Sequence, residues 1–239
     1  MLSSEELERY SRHFLIDGWD RSCQLKLKNS CVFIAGAGGL GNPASMYLAA
    51  AGVGKIIICD MDSVELSNLN RQILYTMNDI NLSKAESACT RLKGINPSSE
   101  IIPLNKKIED AVDMISGSDL ILDCLDNFTS RLFLNSVSHT NRIPMVHAGV
   151  SGYYGQLTFI IPGSTPCLNC FISENTQASS QAITGAMAGI AGSMQAIEAL
   201  KFLTGTGEVL AGKLLFIDCM TMSFSTMKMT KKPGCKTCS

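Results

Sequence analysis

The chain alternates short, strongly apolar runs with longer segments of mixed polarity. Five of the apolar runs are rich in β-branched residues and show no polar alternation, which is typical of strands buried on both faces of a parallel sheet. The five predicted strands are Cys31–Ala35, Lys55–Asp60, Glu100–Leu104, Asp119–Cys124 and Pro144–Val150. We therefore expect a mostly parallel sheet that helices cover on both sides.

The segments between these runs carry helix signals. Ser3 and Glu6 have the spacing of a capping box, which predicts a first helix from Ser3 to about His13. The other predicted helices are Asp20–Lys28, Asn42–Ala51, Ser83–Gly94, Thr129–Thr140 and Gly185–Leu203. Because strands and helices alternate up to about Val150, the order predicts a doubly wound, Rossmann-like α/β fold.

Beyond Val150 the apolar runs are no longer separated by helices of the same kind. We predict that three runs form antiparallel strands at one edge of the sheet, namely Gly155–Ile161, Lys213–Asp218 and Ser223–Met229. Four methionines near these strands are expected to pack within the sheet rather than to form a docking surface. They are Met220, Met222, Met227 and Met229.

The whole chain is expected to form one domain over residues 1–239. Residues 1–30 would form N-terminal helices, and residues 31–150 would form the βαβ core. Residues 151–239 would hold the edge strands, a crossover loop, the long helix and a C-terminal tail. The polar segment Ser173–Thr184 is predicted to be the mobile crossover loop.

A glycine-rich loop, Gly36-Ala37-Gly38-Gly39-Leu40-Gly41, follows the first predicted strand and opens a helix. In that position the backbone N–H groups and the helix N-terminus can hold phosphate oxygens. Asp60 ends the next strand, 19 residues after Gly41, where a carboxylate can accept hydrogen bonds from ribose hydroxyls. The motif predicts a nucleotide site but does not choose between NAD, FAD and ATP, and a tight turn that binds nothing is the alternative.

More polar residues occur where strands of the predicted sheet end, at the edge where open α/β folds bind ligands. After the second strand come Asp62, Ser67, Asn68, Asn70, Arg71 and Gln72. Lys84 starts the next helix, and Asp126 and Asn127 follow the fourth strand. Two cations and a carboxylate suit a triphosphate with Mg²⁺, with Arg71 and Lys84 on phosphate oxygens and Asp126 on the metal. The alternative is that these residues are surface charges and a helix cap.

The charges of the chain nearly cancel, with 20 Lys and Arg against 21 Asp and Glu and a net charge of −1. This balance argues against binding to nucleic acid or to a membrane surface, which favours a basic excess. The acidic N-terminus lacks a secretory signal, and the longest apolar stretch is too short for a membrane helix. We therefore expect a cytoplasmic protein whose ten cysteines are thiols or metal ligands rather than disulfides.

Two CxxC pairs, Cys167-x-x-Cys170 and Cys235-x-x-Cys238, are separated by 64 residues. Two such pairs favour a closed, structural Cys₄ zinc site, which would pin the C-terminal tail to the turn near Pro166. A redox-active CxxC of the thioredoxin kind is the alternative, and it requires one pair at a helix N-terminus.

Several of these segments, taken in order, resemble the ThiF/MoeB/HesA family, the bacterial relatives of ubiquitin-activating enzymes. The matching segments are Arg9–Arg12, Gly36–Gly41, Asp60–Asp62, Ser67–Gln72, Lys84, Asp123–Asn127 and both CxxC pairs. The resemblance covers essentially the whole chain, and the layout is most similar to the branch of the family that serves molybdopterin synthase. It strengthens the zinc interpretation of the four cysteines.

The resemblance implies an adenylyltransferase that binds MgATP and the C-terminal Gly-Gly of a ubiquitin-like sulfur carrier. The terminal carboxylate would attack the α-phosphate, giving an acyl-adenylate and pyrophosphate. The implied roles are Asp60 on the ribose, Gly39 against the nucleotide, Asn68, Arg71 and Lys84 on the phosphates, and Asp126 on Mg²⁺. Arg12 matches an arginine that family members insert into the partner subunit's site, which implies a homodimer.

The predicted crossover segment Ser173–Ala188 contains no cysteine, unlike that of relatives that form a covalent carrier intermediate. This departure predicts that the chain stops at the adenylate or passes it to a separate sulfur donor. Three other functions stay open: adenylation of a small peptide C-terminus, a non-enzymatic subunit that docks a carrier, and an NAD-dependent oxidoreductase. The last leaves Arg71, Lys84 and Asp126 without a role.

Overall fold

An eight-stranded sheet forms the centre of the computed structural model, which describes residues 1–172 and 182–238. Its strands are β1 (Cys31–Ala35), β2 (Lys55–Cys59), β3 (Glu100–Leu104), β4 (Leu120–Asp123), β5 (Met145–Ser151), β6 (Tyr154–Ile160), β7 (Lys213–Asp218) and β8 (Ser223–Lys228). The α-helices are α1 (Ser4–Arg9), α2 (Arg21–Asn29), α3 (Gly41–Ala51), α4 (Lys84–Ile95), α5 (Val112–Ser116), α6 (Phe128–Asn141) and α7 (Gly185–Thr204).

The strand order in the sheet is β3-β2-β1-β4-β5-β6-β7-β8. Strands β1 to β5 pair in parallel, and β6 to β8 add antiparallel pairs at one edge. The doubly wound fold with an antiparallel extension is therefore confirmed. The chain order reverses between β1 and β4, which is the switch point where open α/β sheets bind ligands.

Both faces of the parallel part of the sheet are buried, as the unbroken apolar runs predicted. In β1, Val32 and Ile34 belong to a core that includes residues of α2, α3, α4 and α7. Phe33 and Ala35 face the opposite core, which includes residues of α5 and α6. This two-sided burial fixes the register of β1 and hence the position of the glycine loop that follows it.

The first helix is shorter than the sequence predicted. The capping box at Ser3 and Glu6 is present, but α1 ends at Arg9 and a short 3₁₀ turn follows at His13–Leu15. The reason is that Tyr10 turns into the core, where its hydroxyl accepts a hydrogen bond of 2.9 Å from the Asn96 side chain. Tertiary contacts of one buried side chain thus end the helix early.

The antiparallel edge is more open than the sequence predicted. Met229 is buried, but Met220, Met222 and Met227 are exposed, so sheet packing accounts for only one of the four methionines. The other three lie in β8 or in the turn before it, and all residues of β8, the last strand of the sheet, are exposed.

Residues 173–181 of the predicted crossover loop Ser173–Thr184 lie outside the described residues. In the part of the chain that the structure describes, no helix combines the length and the apolar character needed to cross a membrane.

The small residues of α7 let this helix approach the edge of the sheet at which the glycine loop lies. A Cβ atom at Gly185 would lie 2.4 Å from the carbonyl oxygen of Asn70, and one at Gly192 would lie 2.3 Å from that of Leu40. Neither contact is sterically allowed, so both positions require glycine. The first half of α7 is therefore packed directly against α3 and against the loop that follows β2.

Candidate active site and metal centre

The glycine loop joins the end of β1 to the start of α3. Gly36 has a φ of +96°, and a Cβ there would lie 2.8 Å from the carbonyl oxygen of Cys124; a Cβ at Gly41 would lie 2.0 Å from the Gly36 carbonyl oxygen. These two glycines are thus required by the turn itself. A Cβ at Gly38 would come no closer than 3.8 Å to the Gln72 amide, so the space over Gly38 is open. No side chain caps the N-terminus of α3, which leaves it available to an anion.

Asp60 connects the second strand to this loop. Its carboxylate accepts hydrogen bonds from the backbone N–H of Ala37 at 2.8 Å and of Asp62 at 2.9 Å. Burial raises the pKa of Asp60 despite these hydrogen bonds and the nearby Lys84. The carboxylate is therefore held against the glycine loop in the position that the sequence predicted.

Lys84, the first residue of α4, is almost fully buried. Its Nζ atom lies 2.9 Å from the carboxylate of the exposed Asp62, and its backbone N–H donates to the Asp62 carbonyl oxygen at 2.9 Å. Tyr75, which the sequence did not single out, donates its hydroxyl proton to the Ala37 carbonyl oxygen at 2.7 Å and lies 3.1 Å from that of Lys84. Tyr75 thus ties the glycine loop to the start of α4.

Arg71 lies across the glycine loop, with its side-chain carbons 3.6 and 3.7 Å from the place of a Cβ at Gly39. Its guanidinium donates to the carbonyl oxygen of Ser67 at 2.9 Å and to the side chain of Asn70 at 3.1 Å. Asn68 is buried, and its side-chain oxygen accepts from the backbone of Glu65 at 3.1 Å. Ser67 and Asn70 therefore orient Arg71, while Asn68 shapes the loop that carries it.

Gln72 provides a test of whether the site can accept a nucleotide. Its Oε1 atom is buried and has no hydrogen-bond partner among residues 1–172 and 182–238. Leaving a buried amide oxygen unpaired costs free energy, so this atom is suited to a donor from a bound molecule. Together with the open space over Gly38 and the uncapped α3, it makes the site fit a nucleotide.

Asp126 lies in the loop between β4 and α6, at the switch point of the sheet. Its side chain is exposed. The start of this loop lies against the glycine loop, because a Cβ at Gly36 would lie 2.8 Å from the Cys124 carbonyl oxygen. Asn127 caps α6, accepting a hydrogen bond of 2.8 Å from the N–H of Ser130, which is the capping role that the sequence left open.

Arg12 is the predicted site residue that the fold places far from the others. The Arg9 guanidinium donates to the carbonyl oxygen of Ile95 at 3.0 Å, at the end of α4 opposite to Lys84. Because α4 has 12 residues, its two ends are about 18 Å apart. Arg12 is exposed and follows closely after Arg9, so it lies at the other end of α4 from its own glycine loop.

A buried cluster beneath the β4–α6 loop was not predicted as part of the site. The carboxylate of Asp123 lies 2.6 Å from Nδ1 of His147 and 3.9 Å from Nε of Arg131. Burial acts to raise the pKa of Asp123, but Arg131 and His147 outweigh it and hold that pKa below its usual range. Burial lowers the pKa of His147, so its neutral imidazole donates from Nδ1 to a charged carboxylate. Asp123 and His147 lie opposite each other on neighbouring strands. Each is a polar residue within an apolar run, and this is the feature of the sequence from which the cluster could have been predicted.

The four cysteines of the CxxC pairs come together. Their sulfur atoms all lie within 4.8 Å of one another, with 3.6 Å between Cys167 and Cys235 and 3.4 Å between Cys170 and Cys238. Tetrahedral coordination with Zn–S bonds of about 2.3 Å places sulfurs about 3.8 Å apart, so the donor set fits zinc. Burial acts to raise the pKa of Cys235, but backbone N–H groups of the tail outweigh it and lower this pKa to about 7. The cluster could therefore hold a metal ion in thiolate coordination.

Comparison with known proteins agrees with this geometry. The molybdopterin-synthase adenylyltransferase of Escherichia coli is 40% identical over 244 residues, covering 99% of this chain and 98% of that protein. The SAMP-activating enzyme E1 of Haloferax volcanii is 38% identical over 245 residues, covering 99% of this chain and 90% of that enzyme. The crystal structure of E. coli MccB with ATP has a similar fold, with a TM-score of 0.86 and 26% sequence identity. The match covers 99% of this chain and 75% of the MccB chain.

These relatives cover 99% of this chain. A model of one protein family matches residues 10–237, which is nearly the whole chain. The chain therefore belongs to the ThiF family, whose members include ATP-dependent adenylyltransferases.

Proposed function

We propose that this chain is an adenylyltransferase that uses ATP to activate the C-terminal glycine carboxylate of a ubiquitin-like sulfur-carrier protein. The observation that carries the proposal is that five groups lie at the carboxyl edge of the parallel strands, around one switch point. They are the open Gly38 turn, the carboxylates of Asp60 and Asp126, and the cations of Arg71 and Lys84. The names of the enzymes from E. coli and H. volcanii support the same reaction class.

The chemistry needs positioning and charge stabilisation more than covalent help. The attacking carboxylate is already an anion, and the barrier comes from bringing it to a charged phosphate and from charge building up on pyrophosphate. Arg71 and Lys84 would hold the phosphates, and Asp60 would hold the ribose. Mg²⁺, with Asp126 as its protein ligand, would neutralise phosphate charge when bound. Lys84 would then share its charge between Asp62 and the nucleotide.

The carrier would dock on the antiparallel edge of the sheet. Strands β7 and β8 expose large apolar side chains, which mark protein interaction surfaces when they cluster on a soluble domain. Phe216 and Met227 are exposed on one face of the sheet, Phe224 is exposed on the opposite face, and the exposed Met220 and Met222 lie in the turn between the two strands. Methionine suits such a surface because its flexible side chain adapts to a partner.

The active unit would be a homodimer in which Arg12 completes the site of the second copy. Arg12 lies at the far end of α4 from its own site, so contact with its own nucleotide would require refolding of the N-terminal segment. Exposed apolar residues border both regions and would form the dimer contact. Leu15 and Ile16 lie beside Arg12, and Leu66, Ile73, Met77 and Leu82 lie around the polar loop of the site.

The four cysteines would hold a structural zinc ion, because four protein ligands leave no open position for catalysis. Such reduced thiols suit the cytoplasm. A separate sulfur donor would act after adenylation, since the segment 173–188 has no cysteine to carry the acyl group.

ATP–pyrophosphate exchange tests the proposed function. Purified zinc-loaded protein is given MgATP, labelled pyrophosphate and, one at a time, ubiquitin-like proteins that end in Gly-Gly. We expect exchange that depends on one carrier and disappears when the last glycine of that carrier is deleted. If no carrier supports exchange but a short peptide does, peptide adenylation replaces this proposal. If neither does, a carrier-docking subunit replaces it.

Changing Cys235 to serine is expected to release the zinc and lower the melting temperature. Removing a metal worth several kcal/mol from a domain of this size lowers Tm by about 10 °C. Zinc content and thermal unfolding measure the two effects. Cys219, which lies outside the cluster, supplies the matched Cys219→Ser control, which should keep its zinc. Full zinc content in Cys235→Ser would rule out the four-cysteine site.

A further inference from the structure

The function proposed above assigns no role to the cluster of Asp123, Arg131 and His147. It joins β4, α6 and β5 beneath the loop that carries Asp126. Asp123 and His147 are fully buried, and Arg131 is 6% exposed. Burying an ion pair and an imidazole is costly unless their hydrogen bonds are satisfied, so the cluster requires an explanation.

The cluster holds both backbone polar groups of Leu125, the residue before Asp126. Asp123 accepts from the Leu125 N–H at 3.2 Å. Arg131 donates from Nε to the Leu125 carbonyl oxygen at 3.0 Å, and its Nη2 donates to the same oxygen. The backbone on the N-terminal side of Asp126 is therefore fixed by buried side chains.

His147 makes this arrangement possible. Its Nδ1–H occupies one carboxylate oxygen of Asp123, which leaves the other oxygen for the Leu125 N–H and for Arg131. The imidazole is itself held on its other side, where its Nε2 atom lies 3.4 Å from the Gln156 amide nitrogen. Gln156 thus restricts the orientation of His147, His147 that of Asp123, and Asp123 that of Arg131, which contacts the loop.

A purely structural role does not explain the choice of residues. Well-packed apolar residues that replace a buried ionic cluster often leave stability unchanged or increase it. Only a forked donor such as arginine can hold one carbonyl oxygen from two nitrogens and so fix its direction. We therefore attribute to the cluster a role in orienting the backbone of the loop rather than in stabilising the core.

We propose that Arg131 is a positioning residue for the magnesium ligand Asp126, and that Asp123 and His147 hold Arg131 for this task. The inference rests on the proposed function, which assigns Asp126 to Mg²⁺. Residues behind a metal ligand orient it in the same way in other metal sites, and losing them weakens metal binding about 10- to 100-fold.

The test measures how much Mg²⁺ tightens ATP binding, without using turnover. Dissociation constants for ATP are determined by calorimetry in EDTA and in excess Mg²⁺, and their ratio is the magnesium effect. We expect Arg131→Lys, which keeps the charge but loses the fork, to reduce this ratio about tenfold. The affinity in EDTA should stay unchanged. His147→Leu should act in the same way, and His147→Asn, which keeps a donor near the place of Nδ1, should restore most of the effect.

Two further variants serve as references for the magnesium effect. Ser138→Ala is the matched control, since Ser138 is buried in the same helix and donates to the Ile143 carbonyl oxygen at 2.6 Å, away from Leu125. Asp126→Asn defines complete loss of the magnesium effect. A normal ratio in Arg131→Lys and His147→Leu, with loss in Asp126→Asn, overturns the positioning role and leaves the proposed function intact. A normal ratio in Asp126→Asn contradicts the magnesium site itself. Where Arg131→Lys does not fold, the two His147 variants decide.

Discussion

Replacing Asp126 by alanine is expected to lower carrier-dependent ATP–pyrophosphate exchange about a thousandfold, because a bound metal stabilises the charge of the transition state by several kcal/mol. The melting temperature should hardly change. The Asp126 side chain is exposed, and surface substitutions of this kind alter the free energy of unfolding by about 0.5 kcal/mol or less. Exchange assays at saturating MgATP and a thermal scan measure the two quantities.

The matched control for this prediction is Asp113→Ala. Asp113 is likewise an exposed aspartate, but it lies in α5, away from the switch point. It should retain normal exchange. Near-normal exchange in Asp126→Ala would show that another group binds the metal.

Mixing Arg12→Ala subunits with Lys84→Ala subunits is expected to recover about a quarter of the wild-type exchange activity, whereas each variant alone is nearly inactive. In a two-fold symmetric dimer each mixed pair contains one site with both Arg12 and Lys84 intact, and random mixing makes half of the dimers mixed. The physical basis is the distance along α4 between the two residues in one chain. Exchange rates of refolded or co-expressed mixtures measure the recovery.

The control places both changes in one chain and mixes that chain with wild type. If Arg12 acts in the second copy, these mixed dimers have no intact site. If Arg12 acts in its own chain, they keep one intact site and the first mixture shows no recovery. Wild-type homodimers alone supply about a quarter of the activity in the control mixture under random pairing. The first mixture and the control are therefore each expected to give about a quarter of wild-type exchange if Arg12 acts in the second copy, but none and about half if it acts in its own chain. Native mass spectrometry must show mixed dimers in both.

The parallel core could be predicted from the sequence because its strands are apolar on both faces and end in recognisable turns. Strands β1 and β3 and helix α7 lie within one residue of their predicted bounds. The end of α1 at Arg9 was not predictable, because it depends on Tyr10 meeting Asn96 across 86 positions of sequence. The exposure of Met227 likewise depends on which parts of the fold cover β8, and no local pattern in the sequence indicates this.

The residues of the candidate site likewise fall into those that local sequence motifs predicted and those that depend on the tertiary fold. Gly38, Asp60 and Arg71 belong to motifs with local spacing, and the structure brings them together. The sequence interpretation missed Tyr75 and Arg131, because their partners are chosen by the fold rather than by neighbours on one helix or strand. Both side chains bind backbone carbonyl oxygens. Every residue has such an oxygen, so the pattern of residue types does not indicate which one is bound.

With the proposed zinc ion bound, the four cysteines would turn the segment between Cys170 and Cys235 into a closed ring of chain. This ring contains α7, which packs on the glycine loop at Gly39 through Ala188, and the exposed strand β8. Closing a loop of this length removes roughly 4 kcal/mol of conformational entropy from the unfolded chain. Opening the ring would therefore loosen α7 and β8 together, so that a chelator acting at the tail is expected to weaken the proposed nucleotide binding and carrier docking at once.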